Sequence, residues 1–344
     1  MKEKALVICP GRGTYSKETL GYLKNTHSVS QNFVSQIDQW RKEKNLISIS
    51  ELDNAPGFNP SLHLPGINAA SLIYACAYSD FLQINLEKYD LVATMGNSMG
   101  WYINLVVAAS ISPKNGFHLI QTMGTMMQEN MIGGQLIYQV VNEFWQRDLE
   151  KEKLVEDLMV EVNSQEDHSI YHSINLGGYR VLAGNDKGIR SMLKMLPPQD
   201  IYPFKLMGHG AFHTKLMQDI SQKSFSLISE EIFSSPQIPL IDGRGVIWPD
   251  YATDKVKLRE YTLNHQVTCT YDFSLSLKVA LKEFAPTKLI LLGPGFNLGG
   301  AIAQVLIDLK WQNISNKKEF QERQKSDPFL LAMGHPEQRK IVYS

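Results

Sequence analysis

The chain has 344 residues, 43% of them hydrophobic and 20% charged, which suits either two domains or one large domain carrying an insertion. Thirty-four basic residues face thirty-five acidic ones, and the formal charge of -1 argues against a nucleic-acid coat, a polybasic membrane anchor or an acidic tail. Cys9, Cys76 and Cys269 are scattered and form neither a disulfide framework nor a zinc site, which points to a reducing compartment.

The first predicted element is a short buried strand, Ala5–Cys9, closed by Pro10-Gly11 and too short for the apolar part of a signal peptide. Asn68–Gln83 reads as an apolar helix with small residues, Asp90–Met95 as a second buried strand ending at Gly96, and Trp101–Ala109 as a buried helix. The middle changes character. Gln135–Val141 alternates as a strand does, Asn142–Leu158 reads as a charged helix, and His172–Asn175 and Tyr179–Ala183 as strands. Asp186–Leu196 then reads as a helix and Tyr202–Leu206 as a strand, so the order β-α-β-β-α-β is that of a ferredoxin-like unit. Lys288–Leu292 is a third buried strand, and Asn313–Ser344 reads as a charged surface helix and tail.

The expected fold class is therefore α/β, with an α/β-hydrolase-like core and a mostly parallel sheet. Residues 1–131 and 206–344 would form the large domain, interrupted by a ferredoxin-like subdomain at 132–205. No stretch approaches the roughly 18 apolar residues of a membrane span, so a soluble, cytoplasmic protein is expected.

The strongest chemical signal is Gly96-Asn97-Ser98-Met99-Gly100, a GxSxG lying between a strand and a helix. That context suits a nucleophile elbow, whose glycines permit a tight turn projecting the Ser98 hydroxyl, with the Met99 N–H placed to hold an oxyanion. The competing reading is an ordinary turn with Ser98 as a helix cap. A serine nucleophile needs a base. His27, His63, His118, His168, His172 and His335 read as surface or loop residues; His209 and His213 share a small-residue loop, and spacing does not choose between them. Pro10-Gly11-Arg12-Gly13 lacks the third glycine of a dinucleotide fingerprint and suits instead a second backbone donor to the same oxyanion. Nothing suggests a metal or a bound cofactor.

Together these segments resemble the malonyl-CoA:acyl-carrier-protein transacylase family, which includes the acyltransferase domains of polyketide synthases. Val7–Gly13 is similar to its FPGQG, Gly96–Gly100 to its GHSxG, Ala211–Met217 to its FHxxxM and Leu292–Leu298 to its GPGxxL. Asn175–Gly178 and Leu263–Val267 fit two weaker stations, and the likeness spans about residues 4–312. The resemblance implies an acyltransferase with Ser98 as nucleophile and His213 as base. It places the oxyanion donors at the N–H groups of Met99 and Arg12, and a histidine-orienting carbonyl at Asn264. The substrates implied are acyl-CoA and the phosphopantetheine thioester of an acyl carrier protein. Met123 stands where malonyl-using members carry an arginine, and Asn97 replaces the histidine before the serine, so an acyl pocket bounded by Met123 and Asn97 would favour an uncharged acyl group. Two other functions fit the same residues: an acyl-carrier-protein thioester hydrolase, and a non-catalytic carrier-protein binding module.

Overall fold

The computed structural model describes residues 2–25 and 28–344, so His27 lies outside the described residues. Strands β1 (Glu3–Cys9) and β2 (Tyr89–Gly96) begin one sheet, and β3 (Gly134–Gln139), β4 (Ile170–Leu176), β5 (Tyr179–Gly184) and β6 (Phe204–Leu206) form most of a second. Strands β7 (Leu240–Ile241) and β8 (Ile247–Trp248) return to the first sheet, β9 (Tyr271–Asp272) joins the second, and β10 (Lys288–Leu291) and β11 (Leu330–Ala332) complete the first.

The first sheet runs β11-β10-β1-β2-β7-β8, parallel throughout except for the final hairpin. Ala5 to Cys9 are five apolar residues in a row, all fully buried, because helices cover both faces of a parallel sheet. Register pairs Cys9 with Gly96 and Ile8 with Leu291, so the turns leaving β1, β2 and β10 emerge along one edge. Open α/β sheets place their ligand sites at that carboxyl edge.

The second sheet runs β6-β3-β5-β4-β9; the first four strands are antiparallel, and helices Leu149–Asn163 and Asp186–Met195 connect them in ferredoxin-like order. The fifth strand, β9, pairs parallel with β4 and comes from outside that segment.

Two expectations change. The charged helix begins at Leu149, not at Asn142, with Asp148 as its N-cap. Asn142 Oδ1 instead accepts from the amides of Phe144 and Gln146, forming a side-chain turn that breaks the helix before it starts. The segment Asn313–Ser344 is not merely a surface tail: it supplies the buried edge strand β11, and its last helix, Pro336–Tyr343, pairs Arg339 with the buried Asp80. Three residues are too few for a strand period to show in sequence. No described helix is long and apolar enough to cross a membrane.

Candidate active site

At the end of β2 the chain reverses so tightly that Ser98 adopts φ 55°, a left-handed backbone rare for a residue with a side chain. The flanking glycines are required by contact. A Cβ on Gly96 would lie 2.3 Å from the Gly100 carbonyl, and one on Gly100 would lie 2.4 Å from the Cys9 carbonyl. The turn after β1 packs against this elbow just as closely, since a Cβ on Gly11 would meet the Asn97 carbonyl at 2.7 Å. Met99 is the N-cap of helix Gly100–Val107, and Met99 and Arg12 line the same cavity as Ser98.

His213 is buried and also left-handed, with φ 57°. Its Nδ1 lies 2.6 Å from the Gln266 carbonyl, which can only accept, so Nδ1 carries the proton. Nε2 is then a bare acceptor, and the Ser98 hydroxyl donates to it at 2.7 Å. Burial pushes the imidazole pKa down to about 4, the carbonyl contact opposing that shift, so the ring is neutral at pH 7. The same structure leaves His209, the other candidate, with no bond to Ser98; its Nδ1 contacts Gln135.

The carbonyl facing His213 belongs to Gln266, which corrects the expectation of Asn264. The Asn264 carbonyl accepts from Thr268 Oγ1 at 3.0 Å, inside a helical segment that runs through a π-turn at Tyr261–His265 and ends at Thr268. Gln266 lies in the last turn, where carbonyls lack an amide four residues on, so its oxygen is free for the imidazole. Sequence reasoning missed Gln266 although the Leu263–Val267 station contains it, because the helix end that frees its carbonyl leaves no mark there. Its side chain binds the elbow as well: Nε2 donates to the Ser98 carbonyl at 3.0 Å and Oε1 accepts from Tyr102 at 2.9 Å. Tyr271, on β9, donates to the Gly96 carbonyl at 2.6 Å and completes the frame.

Ser98 separates two spaces. One is a cavity walled by Ile120, Met123, Met127, Tyr102 and Phe212. Met123 is 1% exposed and its thioether wall is apolar, as expected. Asn97 is not part of this wall, which differs from its expected place in the acyl pocket: it lines the second space, a cleft bounded also by Ser98, Gln135, His209 and Asn297. The buried Asn97 Oδ1 has no hydrogen-bond partner among the described residues.

Arg12 touches both spaces. Its Nη2 donates to the carbonyls of Leu64 and Gly208 at 3.0 and 3.1 Å, and the guanidinium lies 5.6 Å from the Phe212 ring centre. Desolvation lowers its pKa to about 10, which leaves it charged at neutral pH. Among the other histidines, His63 departs from its reading as a surface residue: it is 1% exposed, stacked on Phe58 and bonded to the Leu52 and Asn59 backbone. No three His, Cys, Asp or Glu side chains gather as metal ligands among the described residues.

No protein-family profile matches the chain. Solved structures share its fold from end to end. An acyl-carrier-protein S-malonyltransferase from Burkholderia pseudomallei 1710b aligns with a TM-score of 0.76 at 15% identity, over 99% of each chain. A malonyl-transacylase solved in complex with its type II polyketide synthase acyl-carrier protein aligns with a TM-score of 0.74, also at 15% identity and over 99% of each chain. In sequence, a malonyl CoA-acyl carrier protein transacylase from Bacillus subtilis (strain 168) is 24% identical over 231 residues, 66% of this chain and 69% of that protein. The chain thus shares the fold of solved malonyltransferases and is distantly similar in sequence to a malonyl CoA-acyl carrier protein transacylase. On this fold Ser98 and His213 are in contact, and Met123 is buried.

Proposed function

We propose that this protein carries an acyl group from an acyl-CoA thioester to the phosphopantetheine thiol of an acyl carrier protein, through an ester on Ser98, and that the acyl group is uncharged. The observation that carries the reading is the 2.7 Å contact between the Ser98 hydroxyl and a neutral His213 Nε2, set against a mostly apolar cavity.

In this reaction Ser98 Oγ attacks the thioester carbonyl while its proton passes to His213 Nε2. The main-chain N–H groups of Met99 and Arg12 hold the oxyanion of the tetrahedral intermediate. As the C–S bond breaks, the imidazolium returns its proton to the departing thiolate of CoA. The carrier thiol then attacks the acyl-serine with the same base, and the sequence reverses. The acyl chain occupies the cavity beside Met123, and the pantetheine arm lies in the open cleft. Residues 132–205 act as an inserted subdomain forming one side of that cleft.

The apolar wall supports an uncharged chain, because a carboxylate buried there without a partner would cost several kcal/mol. Arg12 does not replace the missing cation in this reading, since two carbonyls and the Phe212 ring already engage it. Exposed Lys187, Arg190 and Lys194 on helix Asp186–Met195 offer a basic face to an acidic carrier protein.

Intact-protein mass spectrometry after incubation with a panel of acyl-CoA thioesters tests the reading. Acetyl or longer saturated groups are expected on Ser98 faster than malonyl. Faster malonyl labelling would overturn the uncharged acyl group and assign the carboxylate to Arg12. A folded protein that takes no acyl group from any thioester would overturn the transfer itself. Release of free acid from acyl carrier protein, with no transfer, would reassign the site to thioester hydrolysis.

A further inference from the structure

A chain of buried hydrogen bonds runs from the open cleft to the peptide that precedes His213. The Phe212 carbonyl can only accept, so the bond of 2.8 Å from Ser173 uses the serine's proton. Ser173 Oγ must then accept from Gln135 Nε2, which lies 2.6 Å away. That orientation turns Gln135 Oε1 toward His209, 2.7 Å from Nδ1, and so requires the proton on Nδ1. The bonds therefore share one direction, His209 to Gln135 to Ser173 to Phe212, and leave His209 Nε2 as an unprotonated acceptor. Gln135 and Ser173 are 1% and 0% exposed, so neither can exchange its partner for water.

The position of the last bond matters because the Phe212–His213 peptide is the unit whose rotation sets φ of His213. That φ is left-handed in a residue with a side chain, a conformation that persists only where the surroundings hold it. Ser173 is placed for the task by an irregularity: the register of β4 against β5 shifts between His172 and Ile174. Such a bulge re-aims a side chain and is frequent beside active sites. Here it directs the Ser173 hydroxyl out of the small sheet and onto the loop bearing His213.

We propose that His209 is a positioning residue which, through Gln135 and Ser173, clamps the Phe212–His213 peptide and so aims His213 Nε2 at Ser98. The proposal rests on the reading of Ser98 and His213 as nucleophile and base. It adds that the small sheet controls the base by way of β3 and β4, and that the outer end of the relay lies in the cleft.

The test compares His209→Leu, His209→Asn and Ser173→Ala in the full chain, with ¹⁵N-labelled histidine. Asparagine keeps an amide donor where His209 has Nδ1, whereas leucine removes it. The wild-type spectrum is expected to show His209 protonated on Nδ1 alone. His209→Leu and Ser173→Ala are expected to move the His213 ring signals and to slow fluorophosphonate labelling of Ser98 by about ten- to a hundredfold. His209→Asn is expected to restore both, and the Leu and Ala variants combined to label no more slowly than Ser173→Ala alone. Folded Leu and Ala variants with wild-type His213 signals would overturn the proposal, as would a wild-type His209 protonated on Nε2. Wild-type Ser98 that resists the reagent would overturn the nucleophile reading instead, and the spectra would still decide the relay.

Discussion

The two spaces that meet at Ser98 differ in how much polar surface lines them. On the cavity side, Ile120, Met123 and Met127 come from one helix, Pro113–Glu129, packed against neighbouring helices, and the wall is mostly carbon beside Arg12. On the cleft side, Gln135 from the small sheet and Asn97, His209 and Asn297 from loops add donors and acceptors to a lining that also includes Ile174, Leu176 and Phe204. Ser98 thus sits at a boundary between a mostly apolar space and a more polar one. Under the proposed function, a mostly apolar wall suits an uncharged acyl chain, and a more polar one suits an amide-bearing arm.

Removing the contact at the boundary tests whether it is the reaction centre. Ser98→Ala and His213→Ala are each expected to lower acyl transfer on the order of 10⁴-fold or more in steady-state turnover. Survival of a tenth of the wild-type rate in either variant would break the assignment.

Charging the mostly apolar wall comes next. In Met123→Arg an unpaired buried guanidinium is expected to lower stability by about 3–5 kcal/mol. Malonyl-CoA should recover part of the lost melting temperature and gain at least about tenfold over acetyl-CoA in labelling rate, a shift of roughly 1.4 kcal/mol. Unchanged selectivity would mean that the acyl chain does not reach Met123.

Gln266→Ala tests the frame shared by both sides. The main-chain carbonyl on His213 survives, but the Ser98 carbonyl keeps only the Trp101 amide as donor and the buried Tyr102 hydroxyl loses its acceptor. A loss of about 1–3 kcal/mol is expected in urea unfolding.

Acid acts more gradually. His213 titrates near 4 when folded, against an ordinary 6.5, and His209 near 3 through desolvation and the Arg12 charge. The unfolded chain therefore binds more protons between these values. The stability of neutral imidazoles is complete above about pH 6.5 and is lost as pH falls through 6.5 toward the folded values. Denaturation midpoints are expected to drop from neutral to mildly acidic buffer; a rise would show that the two rings are charged in the folded state.

The smallest effect belongs to the surface. Replacing Lys187, Arg190 and Lys194 by Glu is expected to raise KM for the carrier protein a few-fold at low salt, with loading from acyl-CoA unchanged. Equal effects on both half-reactions would move docking elsewhere.

The features legible in the sequence were those set by neighbours along the chain. A run of five apolar residues before a glycine announces a buried parallel strand, and Gly96–Gly100 between strand and helix announces the elbow at Ser98. His213 needed the motif, since its loop offered His209 equally well. Gln266 was hidden because its role depends on where a helix stops, and Asn97 was misplaced because motif adjacency to Ser98 says nothing about which side a side chain takes. The relay through Ser173 was hidden for a related reason: a bulge is a mismatch between two strands and belongs to neither sequence alone.

Strand β9 bears on how parts of this molecule could be exchanged. Tyr271 and Asp272 lie far beyond residues 134–206 in the chain, yet they pair with Ile174 and Asn175 of the small sheet. Tyr271 also bonds the glycine that opens the nucleophile turn. A chimera that imported only the inserted segment from a relative would bring a new β4 to an old β9. Any graft intended to alter carrier preference has to match both, or its first casualty will be the geometry of the turn at Ser98.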